Sequence, residues 1–359
     1  MHSSFRWYGS SDRVPLAWLR QMTPQPLVVT HLAHIAPGEE WPVADLLALR
    51  AMLDAHGLRL GPVESVFWTD DMKLGRPGRE RHIENYRRTL RNLRKVFPER
   101  EELVVTYNIM PLDWGRTDLG RLHANGARSL AYDHAELEKI DLSQGLFLPG
   151  WGRRYSGEEF AALQGEYAAL GEDGLWANIG HVLEAIVPVA EQLDIRLAAH
   201  PNDPPWPYLG LPALLCGAEG IRRLLALYPS RSNALCFCTG SLGADPANDV
   251  IAMIREFSES IAWMHIRTVK TTGPKRFHEA DHADPEANVD LLAVVQTLLK
   301  VGWDGVFRSD HGLDMLYETE TGTNGYPAID RYVANKLLWG YAQALRRAGV
   351  AAAPAAVAD

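Results

Sequence analysis

The chain has 359 residues, 47% of them hydrophobic and 23% charged, which suits one decorated α/β barrel and excludes a minimal or disordered domain. Its net charge of −9, with no basic run and no aromatic motif of the RNA-binding type, argues against nucleic acid as a partner, and no stretch approaches the roughly 18 consecutive apolar residues of a membrane span. Only three cysteines occur, Cys216, Cys236 and Cys238, and the opening MHSSFRWYGSSDR lacks the apolar core of a secretory signal, so a reducing cytoplasm is the expected setting.

Phe5–Gly9 (FRWYG) reads as a short strand ending in a Gly/Ser/Asp turn, and Leu27–Ile35 as a second. Trp41–His56 carries helical periodicity that Gly57 closes. Arg59–Phe67 is a third strand, a helix follows at about Arg81–Phe97, and Leu103–Met110 is a fourth strand stopped by Pro111. This alternation implies parallel pairing through right-handed crossovers, and with the chain length it implies a (β/α)8 TIM barrel. The rhythm breaks from about Asp113 to Gly171, a polar stretch rich in Gly, Arg and Asp with helical pieces near Asp133–Lys139 and Glu158–Leu170. The expectation is a helical and loop insertion after strand 4, acting as a lid, an oligomer contact or both, and a homo-oligomer is expected with it. Leu175–Leu193 is a long amphipathic helix, Ala328–Arg347 a final one, and Ala351–Asp359 a tail expected to fray. Nothing marks a domain boundary, so 1–350 is expected to be a single barrel domain.

In the second half, four strand-like segments each end in a metal-capable side chain: Ile195–His200, Ala234–Cys238, Ile261–His265 and Gly305–Asp310. The spacings of 38, 27 and 45 residues are about what one strand–helix unit of such a barrel needs. A lone buried histidine is more often a hydrogen-bonded core residue than a ligand, and cysteine is commonly buried without a function. The shared position at successive strand ends, each followed by turn residues, is what makes His200, Cys238, His265 and Asp310 a ligand set. Strand parity puts Ala234, Cys236 and Cys238 on one face, with Cys236 a layer deeper in the core. The mixed N/S/O donors argue for a transition metal, and the need to keep positions open for substrate favours one Mn²⁺ or Fe²⁺ per chain over Zn²⁺.

An acidic chain binds an anionic metabolite by concentrating cations locally, and Arg6, Lys73, Arg116, Arg267, Lys270 and Arg308 lie near the strand ends. Arg6, Trp7, Glu64 and Asn108 end the early strands and are candidate substrate contacts beside Arg267, Lys270 and Arg308, with Glu64 equally readable as a buried structural carboxylate. Asp203 and Trp206 lie in a Pro-rich loop after His200, and His278 and His282 in a polar loop expected after the seventh strand.

FRWYG at Phe5–Gly9, VESV at Val63–Val66, MKLG at Met72–Gly75 and ENYRRTLRNL at Glu84–Leu93 resemble mannonate dehydratase, as do HPNDPPWP at His200–Pro207, CTGSLG at Cys238–Gly243, FHE at Phe277–Glu279 and SDHG at Ser309–Gly312. The resemblance spans nearly the whole chain. It implies a TIM-barrel hydro-lyase that converts D-mannonate to 2-keto-3-deoxy-D-gluconate and water with Mn²⁺ or Fe²⁺, and it implies that His311 and Tyr326 are a catalytic proton-transfer pair. The sequence does not say which of them is the base. Where the family commonly reads P-V-H-E-D after VESV, this chain has Phe67-Trp68-Thr69-Asp70-Asp71, and Ser309 stands in its R-P-D-H-G pattern. These departures fall on the substrate walls and leave the four ligands intact. The alternatives are a metal-dependent isomerase or epimerase, or a dehydratase of another sugar acid, and, outside enzymes, a barrel that binds metal and sugar acid as a sensor.

Overall fold

The computed structural model describes residues 1–112, 115–148, 153–316, 318 and 326–350. The tail at 351–359, expected to fray, lies outside them. Eight parallel strands close into a barrel: β1 (His2–Arg6), β2 (Leu27–Thr30), β3 (Leu60–Glu64), β4 (Leu103–Asn108), β9 (Ile195–His200), β10 (Asn233–Cys238), β11 (Ile261–His265) and β14 (Val306–Arg308). They pair in chain order, and β14 returns to β1 through His2 opposite Val306. The strands are shorter than the apolar runs suggested. β1 stops at Arg6 and β2 at Thr30, because the residues that follow turn out of the ladder to build the mouth.

Parity sorts the strand residues into two cores. Val29, Val104, Ala198, Ala234, Cys236 and Trp263 fill the barrel interior, while their neighbours Val28, Val105, Leu197, Leu235 and Phe237 pack outward against the helices. Cys236 therefore sits one layer below Cys238, as parity requires. Trp263 is wholly buried under the mouth, and truncating it to alanine should cost roughly 3–5 kcal/mol.

The insertion after β4 is largely β-structure, not the helix and loop expected. β5 (Asp118–Leu122) and β6 (Arg128–Asp133) form a hairpin, as do β7 (Leu146–Leu148) and β8 (Arg153–Tyr155), with only a one-turn helix at His134–Leu137. Two more strands, β12 (Val269–Gly273) and β13 (Arg276–Glu279), leave the barrel after β11 and add to the first hairpin, giving an accessory sheet in the order β12-β13-β6-β5. His278 is thus a strand residue and not part of a loop. The two helical periods expected at 158–170 and 175–193 join as Gly157–Gln192, which bends at Gly171, whose φ of 67° few residues but glycine adopt. A capping box starts that helix: Ser156 Oγ accepts from the Glu159 N–H at 3.1 Å, and the Glu159 carboxylate accepts from the Ser156 N–H at 2.8 Å. Among the described residues no helix is long and apolar enough to cross a membrane.

Candidate metal centre and active site

Register brings the ligand candidates side by side at the carboxyl end of the barrel. His200 is level with Asn108, Cys238 with His265, and His265 with Arg308. One ligand atom from each of His200, Cys238 and His265 falls within 4.8 Å of the other two. Asp310 closes the cluster from two residues beyond β14, with Oδ2 3.5 Å from His265 Nδ1 and 3.9 Å from Cys238 Sγ. Its φ of 70° is left-handed, which aspartate tolerates better than most residues and which makes the sharp turn at the end of β14.

The donors are prepared for a cation. His200 Nδ1 donates to the Pro201 carbonyl at 2.8 Å, which fixes the ring and leaves Nε2 for a metal. His265 Nδ1 is buried with no hydrogen-bond partner. Burial opposes ionisation of Cys238, but the Arg267 charge and hydrogen bonds from both histidines outweigh it and hold the thiol well below its usual pKa. Ser241 supports the sulfur, its Oγ donating at 3.1 Å and its N–H at 3.4 Å. Two imidazoles, a thiolate and a carboxylate, all buried, with one nitrogen that has no partner of its own, fit a divalent transition metal.

His311 and Tyr326 lie together beside this cluster, ring centroids 4.3 Å apart. Burial lowers the His311 pKa, which favours a neutral imidazole, and burial raises that of the Tyr326 phenol, which keeps its proton. Tyr8 packs on the other side of Tyr326 at 5.2 Å. Arg308 bridges two acids, its Nη2 2.8 Å from Glu64 Oε1 and 2.7 Å from Asp310 Oδ1, while its Nε donates to His265 Nε2 at 3.1 Å. Burial opposes the Glu64 charge, yet Arg308, His265 and Arg6 together hold that carboxyl below its ordinary range. Arg6 Nη2 meets His31 Nδ1 at 2.6 Å. Nη1 of Arg6 and Nη1 of Arg308 are buried donors with no partner in the protein.

Glu64, Asn108, Arg308 and the metal cluster line a cavity of about 50 Å³. It shares Ser65 and Asn108 with an outer cleft of about 720 Å³, walled by the segments after β2 and β3, including His31, Trp41, Phe67 and Trp68. The altered Phe67–Asp71 segment therefore forms part of the approach to the site.

Three of the expected substrate contacts are placed elsewhere. Trp7 is 6% exposed and belongs to the apolar core outside the barrel strands. Lys270 projects from the accessory sheet and pairs with Glu286 at 2.6 Å, because β12 carries it away from the mouth. Arg267 is wholly buried and spends its donors on Asp310, Glu279, Asp203 and Ser241, so it is a structural cation. Sequence reasoning passed over Ser241, Tyr8 and the partners of Arg267. The only advance signal for Ser241 was its place three residues after Cys238, where a helix cap would use it.

A model of the family described as D-mannonate dehydratase (UxuA) matches residues 1–351. The chain is 36% identical over 349 residues to mannonate dehydratase 2 of Halalkalibacterium halodurans, covering 96% of this chain and 99% of that one. It is 37% identical over 358 residues to mannonate dehydratase 1 of Bacillus licheniformis, covering 97% and 96%. The crystal structure of mannonate dehydratase from Streptococcus suis serotype 2 superposes with a TM-score of 0.88 at 35% identity, over 98% of this chain and 97% of that one. On the match along its length, the agreement in fold and a mouth built of the residues just described, this chain belongs to the D-mannonate dehydratase family.

Proposed function

We propose that the protein dehydrates D-mannonate to 2-keto-3-deoxy-D-gluconate and water, with one Mn²⁺ or Fe²⁺ held by His200, Cys238, His265 and Asp310. The observation that carries this reading is the compact His200–Cys238–His265 cluster with a proton-transfer pair, His311 and Tyr326, directly beside it. A bound divalent metal supplies Lewis-acid stabilisation for the negative charge that grows on the substrate carboxylate when the C2 proton leaves. The unpartnered Nη1 donors of Arg6 and Arg308 are available to hold that carboxylate, and Asn108 and Glu64 face the same cavity. The neutral imidazole of His311 takes the C2 proton, and the C–H electron pair becomes the C2=C3 bond of an enol. Tyr326 gives its phenolic proton to the departing C3 hydroxyl, which leaves as water. The enol then tautomerises to the 2-keto acid.

The test is turnover of D-mannonate by Mn²⁺-loaded protein, followed by product mass. A product lighter by one water supports the dehydratase. An isomer of unchanged mass, or no product from protein that has bound metal, overturns it.

A further inference from the structure

Beneath the metal cluster lies a buried lattice of charge. Arg116 sits at the entry to β5, Asp203 in the loop after β9, Arg267 after β11 and Glu279 at the end of β13. Arg116 Nη1 and Nη2 donate to the two Asp203 oxygens at 3.0 Å each, and Nη2 also donates to Glu279 Oε1 at 2.7 Å. Arg267 Nη2 donates to Asp203 Oδ2 at 2.7 Å, and Nη1 to Glu279 Oε2 at 2.9 Å. Each acid thus carries two cations, and all four side chains are at most 2% exposed. Arg267 has one edge left, and it faces the metal site. Its Nε donates to Asp310 Oδ2 at 2.9 Å, and Nη2 donates to Ser241 Oγ at 3.1 Å, which in turn supports the Cys238 sulfur. The guanidinium is packed so closely that a Cβ on Gly240 would lie 2.5 Å from its Nη1.

We infer that Arg116 and Glu279, both delivered by the accessory sheet, are positioning residues for the metal centre: acting through Arg267, they set where Asp310 and Cys238 stand. With Arg116 in place, Asp203 and Glu279 are neutralised from one side, and Arg267 can share itself with Asp310. Without it, two buried carboxylates are left with a single cation, and that cation is drawn toward them and off the ligands. Removing one partner from a buried, fully hydrogen-bonded network redistributes the rest. This gives the accessory sheet a role that its distance from the substrate cavity does not suggest. The inference rests on the four-ligand metal site proposed above and not on the identity of the sugar acid.

The experiment measures Mn²⁺ affinity by titration calorimetry, the electron paramagnetic resonance spectrum of bound Mn²⁺ and Tm, on full-length wild type, Arg116→Met and the double variant Arg116→Met/Glu279→Gln. Expected is a 10- to 100-fold loss of Mn²⁺ affinity, of the size typical for residues that orient metal ligands, and an altered spectrum in Arg116→Met. Substantial recovery is expected in the double variant, which removes one charge of each sign. Arg116→Met that binds Mn²⁺ with wild-type affinity and spectrum, whatever its Tm, overturns the inference, as does a double variant no better than the single one. Should Arg116→Met not fold, Arg116→Lys carries the same test: weakened Mn²⁺ binding supports the inference and unchanged binding overturns it. Wild-type protein that binds no Mn²⁺ overturns the metal site and this inference together, whereas a failure with D-mannonate alone leaves these readouts intact.

Discussion

Asp12 and Arg331 face each other as a buried bidentate pair, with both Arg331 terminal nitrogens 3.0 Å from the two carboxylate oxygens. Arg331 Nη1 also donates to the Arg6 carbonyl at 2.6 Å, and Asp12 accepts from the Tyr8 N–H at 2.9 Å. The last helix is thereby fastened to the exit of the first strand, where Tyr8 stacks on Tyr326. Leaving one of these charges unpaired should cost about 3–5 kcal/mol, so Arg331→Met is expected to unfold at distinctly lower denaturant. The pH dependence has a definite sign. Burial works against the Asp12 charge, but Arg331 and two backbone N–H groups outweigh it and hold the carboxyl below its ordinary value. Its contribution is complete above that ordinary value and is lost as pH falls through the folded one. The Tm values of wild type and Asp12→Asn should therefore converge in acid; a constant gap would contradict the pairing.

The proton-transfer roles can be separated from metal binding. Tyr326→Phe keeps the ring against His311 but removes the proton, and His311→Asn keeps polarity but removes the base. Each should lower kcat by about 10²–10⁴-fold while bound Mn²⁺ per chain, measured by plasma mass spectrometry, stays the same. Wild-type turnover in Tyr326→Phe would remove that phenol from the reaction.

Arg308 and Lys270 make a matched contrast. Arg308 is buried between Glu64 and Asp310, and Lys270 is a surface cation paired with Glu286. Arg308→Lys cannot reproduce the planar fork, and it should lower kcat/KM by roughly 100-fold or more if two bidentate contacts are lost at about 1.5–3 kcal/mol each. Lys270→Ala should leave both kcat and KM within about twofold, since exposed ion pairs contribute little. A large effect at Lys270 would restore it as a substrate contact.

Asp330 titrates in the opposite sense from Asp12. Burial raises its carboxyl to about 6 from an ordinary 3.8. The folded state keeps this proton where the unfolded chain has lost it, so the associated stability is present below the ordinary value and is lost as pH rises through about 6. Asp330→Asn should raise Tm at about pH 8, by at most roughly 3 kcal/mol for a shift of about two units, and change nothing near pH 4. Thermal melts at the two pH values decide it.

The barrel and the metal cluster were legible because they rest on local signals. Apolar runs of strand length end in His200, Cys238 and His265, and all three are the last residues of their strands. The accessory sheet was not legible. β5 is exposed or half-buried along its length, so it lacks the alternation that marks a strand, and it pairs with β13 only through β6. The Arg116–Glu279 contact spans 163 residues and leaves no periodic trace. Arg267 and Lys270 were grouped by proximity to a strand end, but the chain turns into β12 at Val269, so one side chain goes inward and the other to the surface.

The outer cleft opens a different consequence. All four proposed ligands come from β9, β10, β11 and β14, whereas the cleft is walled by segments after β2, β3 and β4, on the other half of the ring. The reactive end of a substrate and its far end are thus read by separate halves of one barrel. Mutation can rework 31–41 and 65–73 without touching the machinery that activates the carbon, and an engineer seeking a new sugar acid has a region in which to graft loops while the chemistry is inherited intact.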